Sequence, residues 1–114
     1  MEIIKKENRI YFNDNDISFG NISIHDTYIK IEMIRIIPEY RGQGLGHKLF
    51  IFIINYIRKN FNCKKIILSP LPIKTGGDEN ILNLEQLVIF YKKFGFKMSE
   101  ETTKEEPYLM VLKL

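Results

Sequence analysis

The feature that most constrains this 114-residue chain is the glycine-rich stretch Arg41-Gly42-Gln43-Gly44-Leu45-Gly46, which lies between strand-like sequence and a strongly apolar helix. Glycines at alternate positions leave a short piece of backbone without side chains, so its N–H groups can turn toward a ligand that approaches closely. A helix that begins inside the stretch adds the positive end of its dipole. The stretch therefore predicts an anion site, with a phosphate as the favoured ligand.

Two common nucleotide-binding loops do not fit this stretch. A P-loop needs Lys followed by Ser or Thr directly after its last glycine, whereas His47 and Lys48 follow Gly46. A dinucleotide fingerprint needs its third glycine where His47 stands and an acidic residue about 20 positions further on, where residues 62–65 read Asn-Cys-Lys-Lys. A plain tight turn into a helix is a further alternative, although one glycine would suffice for it.

The first third of the chain predicts three strands, over residues 3–12, 17–24 and 28–37. Asn13-Asp14-Asn15-Asp16 is a dense turn signal between the first two strands, and Gly20-Asn21 interrupts the second as a bulge or a tight hairpin. The third strand is substantially apolar on both faces, which is typical of a central strand covered on two sides. A proline directly after this strand ends it.

The middle of the chain predicts a helix over residues 45–61 and a short strand over residues 64–69. The helix is apolar almost all round, so it must be covered on more than one side. The strand consists of buried-type residues and completes a strand–helix–strand unit. We therefore expect it to lie parallel to the strand that precedes the helix.

The C-terminal third predicts a second helix over residues 84–94 and a final hairpin. Asn83 or a neighbour is the candidate N-cap of this helix, and Gly95 is a natural C-cap. The hairpin pairs residues 96–99 with residues 108–114 across an acidic, polar connection.

Composition excludes several classes of protein. The net charge of +3 comes from dispersed lysines and short pairs, so we expect no nucleic-acid partner. The single cysteine, Cys63, excludes an internal disulfide and indicates a reducing compartment. No apolar run is long enough for a signal peptide or a membrane span, and no cluster of His, Cys and Asp has metal-ligand spacing. We expect one cytoplasmic domain over residues 1–114, with no membrane and no metal.

The pattern Arg-x-x-Gly-x-Gly, placed after a central strand and at the start of a long apolar helix, resembles the GNAT superfamily of N-acetyltransferases. The match runs through residues 31–46, and residues 90–96 (Phe-Tyr-Lys-Lys-Phe-Gly-Phe) look like the second signature of that family. The resemblance extends from about residue 17 to the C-terminus. It implies a mixed α+β fold with a twisted, mostly antiparallel sheet, a central pair of parallel strands and two main flanking helices.

The resemblance also implies a site for acetyl-CoA. The pyrophosphate would lie on one stretch of backbone, with Arg41 at its entry; the stretch consists of Gly42, Gln43, Gly44, Leu45, Gly46 and His47. The pantetheine arm would lie like an extra strand along the main chain of Ile34, Arg35 and Ile36. The His47 side chain has the alternative of an exposed residue in the first turn of the helix.

Acetyl transfer from a thioester to an amine requires a base for the amine, donors for the oxyanion and an acid for the departing thiolate. A tyrosine, with a reference pKa of about 10, is protonated at neutral pH. Tyr91, four residues before Gly95, matches the general-acid position of the family, and its alternative is a packed helical tyrosine. A backbone N–H near Ile34 is the expected oxyanion donor.

Glu32 is a carboxylate in an otherwise apolar central strand, so we expect it to face a cleft or a partner. The resemblance implies that it is the base or the anchor of the amine, and the alternative is a paired structural carboxylate. The family often has an Asn seven residues before its tyrosine, but Leu84 stands there, with Asn83 one position away.

Strand-like sequence fills residues 1–37, where the family usually has a pair of helices over the acceptor site. The acceptor side is therefore expected to be open to a protein or peptide amine or a small amine, or to be completed by a second subunit in a homodimer. The predicted function is direct transfer of acetyl from acetyl-CoA to an amine. The alternative is a non-catalytic acyl-CoA-binding or interaction module on the same fold.

Overall fold

The computed structural model describes residues 1–70, 84–100, 104 and 108–114. Within these ranges the chain forms, in order, β1 (Glu2–Lys6), β2 (Arg9–Asp14), β3 (Ser18–Ile24), β4 (Ile29–Ile36), a 3-10 turn (Pro38–Tyr40), α1 (Leu45–Asn60), β5 (Lys65–Leu68), α2 (Leu84–Lys92), β6 (Lys97–Met98) and β7 (Met110–Lys113). The strands form one sheet in the order β1-β2-β3-β4-β5-β7-β6. Its neighbours are antiparallel except for β4 and β5, which are parallel. The predicted mixed α+β fold is confirmed.

The N-terminal segment differs from its prediction. Residues 3–12 form two strands, β1 and β2, rather than one ragged strand, so four described strands precede α1. The chain reverses between Lys6 and Arg9, which are paired, and Glu7 adopts a positive φ of 55°. Asn8, a residue that favours turns, is the one local signal of this reversal. The second reversal, at Asn13-Asp14-Asn15-Asp16, was predicted correctly and joins β2 to β3.

The irregularity expected at Gly20-Asn21 is a β-bulge, and it lies on the neighbouring strand β4. β3 runs straight through this pair, with Asn21 opposite Met33 and Ile22 opposite Ile31, so Glu32 is the extra residue on β4. Gly20 has a packing reason: a Cβ there would lie 2.8 Å from Ile53 Cδ1 and 3.2 Å from the Met33 carbonyl oxygen, so a larger residue would require the Ile53 side chain to move.

The bulge also corrects the predicted alternation of β4. Simple alternation would place Ile29 and Ile31 on one face and Ile34 and Ile36 on the other. Because Glu32 is inserted between them, all four isoleucines lie on the face that α1 covers. The sequence pattern of two apolar faces therefore arose from one apolar face and a shift in register.

Helix α1 is covered on more than one side, as predicted. Its buried residues pack on the sheet and against α2: Leu49, Phe50, Ile53, Ile54 and Ile57. Phe50 meets the rings of Phe90, Tyr91 and Phe94 at centroid distances of 5.8, 5.2 and 4.7 Å. In the described ranges, neither α1 nor α2 combines the length and the apolar character that a membrane-spanning helix requires.

The opposite face of the sheet is open at β1, at β2 and at part of β4. Ile4 and Tyr11, which are neighbours across β1 and β2, are 42% and 41% exposed, and Glu32 and Arg35 of β4 are exposed as well. The expectation of a central strand covered on both sides is therefore wrong for this part of β4. The candidate cap Asn83 and most of the acidic connection before β7 lie outside the described residues.

Candidate active site

The glycine loop owes its conformation to two residues with a left-handed backbone. Gly42 and Gly44 have φ values of +81° and +76°, and a Cβ at either position would meet no atom within 4 Å. Free space surrounds both positions, so it is the backbone conformation that requires glycine there. The loop is exposed from Gly42 to Gly44, and its main chain is therefore accessible to a ligand.

Helix α1 begins directly after this loop. Gly44 is its N-cap and provides no side-chain cap, and the first turn contains no acidic residue. The first intrahelical bond of this turn runs from Lys48 N–H to Gly44 C=O (3.1 Å). The N–H groups of residues 45–47 precede it and have no partner within the helix, which makes this helix start suitable for an anion.

A hydrogen bond and the close approach of Gly46 place the loop against the end of β4. Arg41 Nε donates to the carbonyl of Ile36 (2.9 Å), and a Cβ on Gly46 would lie 3.8 Å from Ile36 Cγ1. The loop, the start of α1 and the last residue of β4 thus form one unit. Arg41 directly precedes the loop, and part of its guanidinium holds the backbone in place.

Strands β4 and β5 pair over a short distance and then separate. Pairing extends from Ile29 opposite Ile66 to Ile31 opposite Leu68, where β5 ends, while β4 continues to Ile36. In the part of the chain that the structure describes, the β5 side of β4 has no strand partner beyond the bulge. An unpaired strand edge can accept an extended ligand through main-chain hydrogen bonds, and residues 34–36 lie on this edge.

Glu32 lies at the point of separation, on the open face of the sheet. The buried Ser23 hydroxyl donates to Glu32 Oε1 (2.7 Å), and Ser23 Oγ lies 2.9 Å from His25 Nε2. The hydroxyl has one proton, and this proton points to the carboxylate. Nε2 of His25 must therefore be the protonated nitrogen that donates to Ser23. One oxygen of Glu32 is held by this chain of hydrogen bonds.

Sequence reasoning missed Ser23 and His25. The His25 ring is packed against Tyr28, whose ring stacks on it at a centroid distance of 4.4 Å. Lys65 lies next to Tyr28, with its Nζ 5.9 Å from the centre of the Tyr28 ring. The available signal was the spacing Ser-x-His at the end of a strand that precedes the Glu32 strand. That signal is weak, because the contact depends on the antiparallel register of β3 and β4.

Tyr91 packs in an aromatic cluster between the two helices and β6. Its ring centroid lies 5.2 Å from Phe50, 5.3 Å from Phe90 and 6.2 Å from Phe96. Burial raises the pKa of Tyr91 to about 12, so its hydroxyl is protonated at neutral pH. The Tyr91 side chain is thus packed, as the alternative of a packed helical tyrosine predicted. It also has the protonation state that a general acid requires.

His47 connects the glycine loop to α2. Its exposed ring lies 5.1 Å from the Phe94 ring and 6.0 Å from the Phe90 ring. These contacts provide a packing role for the side chain, while its backbone belongs to the first turn of α1. Leu84 is the first residue of α2, and the neighbouring Asn83 lies outside the described residues.

Comparison with known proteins agrees with this architecture. The acetyltransferase (GNAT) domain family matches residues 6–98. The anti-CRISPR protein AcrVA5 superposes with a TM-score of 0.65 at 18% identity, covering 93% of this chain and 99% of its own. The ribosomal-protein-S18-alanine N-acetyltransferase of Escherichia coli gives 0.64 at 16% identity, with 96% and 71% covered.

A structure with a bound nucleotide ligand belongs to the same group. The PaiA N-acetyltransferase of Thermoplasma acidophilum, in complex with coenzyme A, gives a TM-score of 0.62 at 18% identity. The match covers 93% of this chain and 60% of that protein. These identities are low and establish the fold, whereas the family match spans most of the sequence. The chain therefore belongs to the GNAT acetyltransferase domain family.

Proposed function

We propose that this protein transfers the acetyl group of acetyl-CoA directly to an amine. One observation carries the proposal: the positive-φ glycine loop at the start of α1 is fixed to the end of β4, beside the strand edge that β5 leaves unpaired. A phosphate cradle followed by a slot for an extended chain fits the pyrophosphate and pantetheine of one ligand. Membership of the acetyltransferase family supports the same reading.

On the donor side, the backbone of residues 42–47 would hold the pyrophosphate, with Arg41 at its entry. The main chain of residues 34–36 would bind the pantetheine arm. These contacts use main-chain groups, so the apolar side chains of Ile34 and Ile36 can pack toward α1 at the same time. The free and partly buried thiol of Cys63 fits a reducing compartment, and we place the reaction in the cytoplasm.

On the reaction side, the amine nitrogen attacks the thioester carbonyl, a C–N bond forms and the C–S bond breaks. Glu32 takes the proton of the amine, and the Tyr91 hydroxyl gives a proton to the departing thiolate. A backbone N–H near Ile34 stabilises the oxyanion. The exposed position of Glu32 supports its role, because one carboxylate oxygen is held by Ser23 and the other can meet an acceptor on the open face.

The same exposure favours a second function of another class. Within the described residues, no enclosed acceptor pocket surrounds the Glu32 carboxylate on the open face. A module that binds acyl-CoA without turnover would have no need of such a pocket. The acceptor of an active enzyme, by contrast, must itself complete the site, which suits a protein or peptide amine.

Two measurements with the purified chain separate these functions. Calorimetry with CoA should show binding at one site, and release of CoA thiol from acetyl-CoA should follow addition of peptides or small amines. Binding without thiol release across a broad acceptor panel would favour the non-catalytic module. Loss of both signals would refute the acyl-CoA site itself.

A further inference from the structure

The sheet face that carries Glu32 is basic, and we propose that it selects an acceptor amine on an acidic peptide segment. This inference rests on the proposed transferase function and names the substrate class of that same site. The register of the strands assigns each side chain to a face. The cationic residues placed on the open face by β1, β2, β4, β5 and β7 are Lys6, Arg9, Lys30, Arg35, Lys65 and Lys113.

Acidic residues are few on the same face of the described strands. The same strands place the carboxylates of Glu2 and Glu32 there, while Lys5 and Asp14 point to the side of α1. The modest net charge of the chain therefore conceals an uneven distribution. In the described strands this side of the sheet carries more cations than carboxylates, although the whole protein has a net charge of only +3.

Cations lie on both sides of Glu32. Lys30 precedes it by two residues and lies opposite Ser23, the residue that donates to Glu32. Arg35 follows three residues later on the same face, and Arg9 lies opposite Ser23 on the other side of β3. An acceptor chain that leaves Glu32 in either direction along β4 therefore meets a positive charge.

This arrangement discriminates between acceptors by their second charge. The amine itself is attracted by Glu32, but a polyamine or an aminoglycoside would bring further cations next to Lys30 and Arg35. Carboxylates beside the amine would instead meet opposite charges. Repulsion of one class and attraction of the other both contribute to specificity.

A peptide is favoured over a nucleic acid by the chemistry of the amine. An alkyl amine attacks a thioester more readily than the exocyclic amine of a nucleobase, because the nucleobase amine is conjugated with its ring and is a poorer nucleophile. Lysine side chains and peptide N-termini provide alkyl amines directly. A nucleic acid would provide one only when aminoacylated.

The test compares acceptor pools that differ only in charge. Each pool contains peptides of one length with a free N-terminus, one lysine and an amidated C-terminus, and the remaining positions are Asp and Glu, Asn and Gln, or Arg. A linear polyamine and an aminoacylated tRNA complete the panel. Thiol release is measured at saturating acetyl-CoA and low acceptor concentration. We expect kcat/KM for the acidic pool to exceed that for the Arg pool by about tenfold, and added salt to reduce this ratio.

Two charge reversals locate the effect. Lys30→Glu should lower the acidic-to-basic ratio by about threefold to tenfold, because it reverses a charge close to Glu32. Lys5→Glu makes the same charge reversal on β1, on the face of the sheet that α1 covers, and should leave the acidic-to-basic ratio unaltered.

Equal rates for all pools, a preference for the polyamine or the Arg pool, or an equal effect of both variants would overturn the inference and leave the transferase function intact. Faster turnover of the aminoacylated tRNA would overturn the choice of a peptide. Failure of every acceptor, with CoA still bound, would overturn the transferase function together with this inference.

Discussion

The two halves of the candidate site are built by different means. The donor half consists of backbone in one continuous stretch, from the end of β4 through the glycine loop to the first turn of α1. The acceptor half consists of side chains that meet across strands, with Glu32 held by Ser23 and Ser23 by His25. The proposed function therefore depends on backbone conformation for binding in the first half and on cross-strand register for chemistry in the second.

The largest expected effect comes from removing the Tyr91 hydroxyl. Tyr91→Phe keeps the ring in the cluster of Phe50, Phe90 and Phe96 but removes the hydroxyl that we propose as the proton donor for the thiolate. General-acid catalysis typically contributes about 10²–10⁴-fold, so kcat should fall by about 100-fold or more. Steady-state kinetics measures kcat, and calorimetry on the same preparation measures the affinity for CoA. An unchanged kcat would remove Tyr91 from the mechanism, and a matching loss of CoA affinity would indicate that the two halves are not separable.

The next effect tests whether conformation governs the donor half. Gly44→Ala forces a side chain into a left-handed backbone at φ +76°, which costs about 1–2 kcal/mol or reshapes the loop. If the strained loop is kept, the free energy of unfolding falls by this amount. If the free loop instead leaves the left-handed conformation, CoA must restore it on binding and should bind about tenfold more weakly, since roughly 1.4 kcal/mol corresponds to a factor of ten. Calorimetry measures the affinity for CoA, and chemical denaturation measures the free energy of unfolding.

Gly46→Ala is the matched control for stability, two residues along the chain. Gly46 has no left-handed φ, and its added Cβ would lie 3.8 Å from Ile36 Cγ1, an ordinary contact. Alanine also favours a helix over glycine by about 1 kcal/mol. The free energy of unfolding should therefore be unchanged or higher. If both alanines destabilise the protein equally, backbone conformation does not explain why glycine is needed at position 44.

A smaller effect tests the acceptor half. Ser23→Ala removes the donor to Glu32 Oε1 and leaves the carboxylate free to rotate away from the acceptor, so kcat/KM for the amine should fall severalfold. The affinity for CoA should be unaffected, because Ser23 lies on β3, outside the donor stretch. Ser23→Thr restores a hydroxyl at this position and should recover most of the loss. If the alanine and threonine variants are equally slow, packing rather than the hydrogen bond explains the effect.

The same contrast explains what could be predicted from the sequence. The loop, the start of α1 and the C-cap Gly95 are determined by residues adjacent in the chain, and these predictions agree with the structure. The hairpin of β1 and β2 was missed because one asparagine was its only local signal. The bulge at Glu32 was misplaced because a register shift depends on which strands pair, and an alternating pattern does not reveal it. The Ser23–His25 contact was missed for the same reason.

The smallest effect is seen in a titration of Tyr91, the residue that we propose protonates the departing thiolate. The pKa of Tyr91 is raised to about 12 by burial, against a reference of about 10 for an unfolded chain. The folded state therefore holds this proton more tightly than the unfolded state. The stabilisation that results is fully present below pH 10 and is lost as pH rises toward 12. Phenolate absorbance should show one tyrosine that titrates near pH 12 in the folded chain and is missing from Tyr91→Phe. If the variant lacks a tyrosine that titrates near the reference value instead, Tyr91 lies in a more solvated position and burial does not raise its pKa.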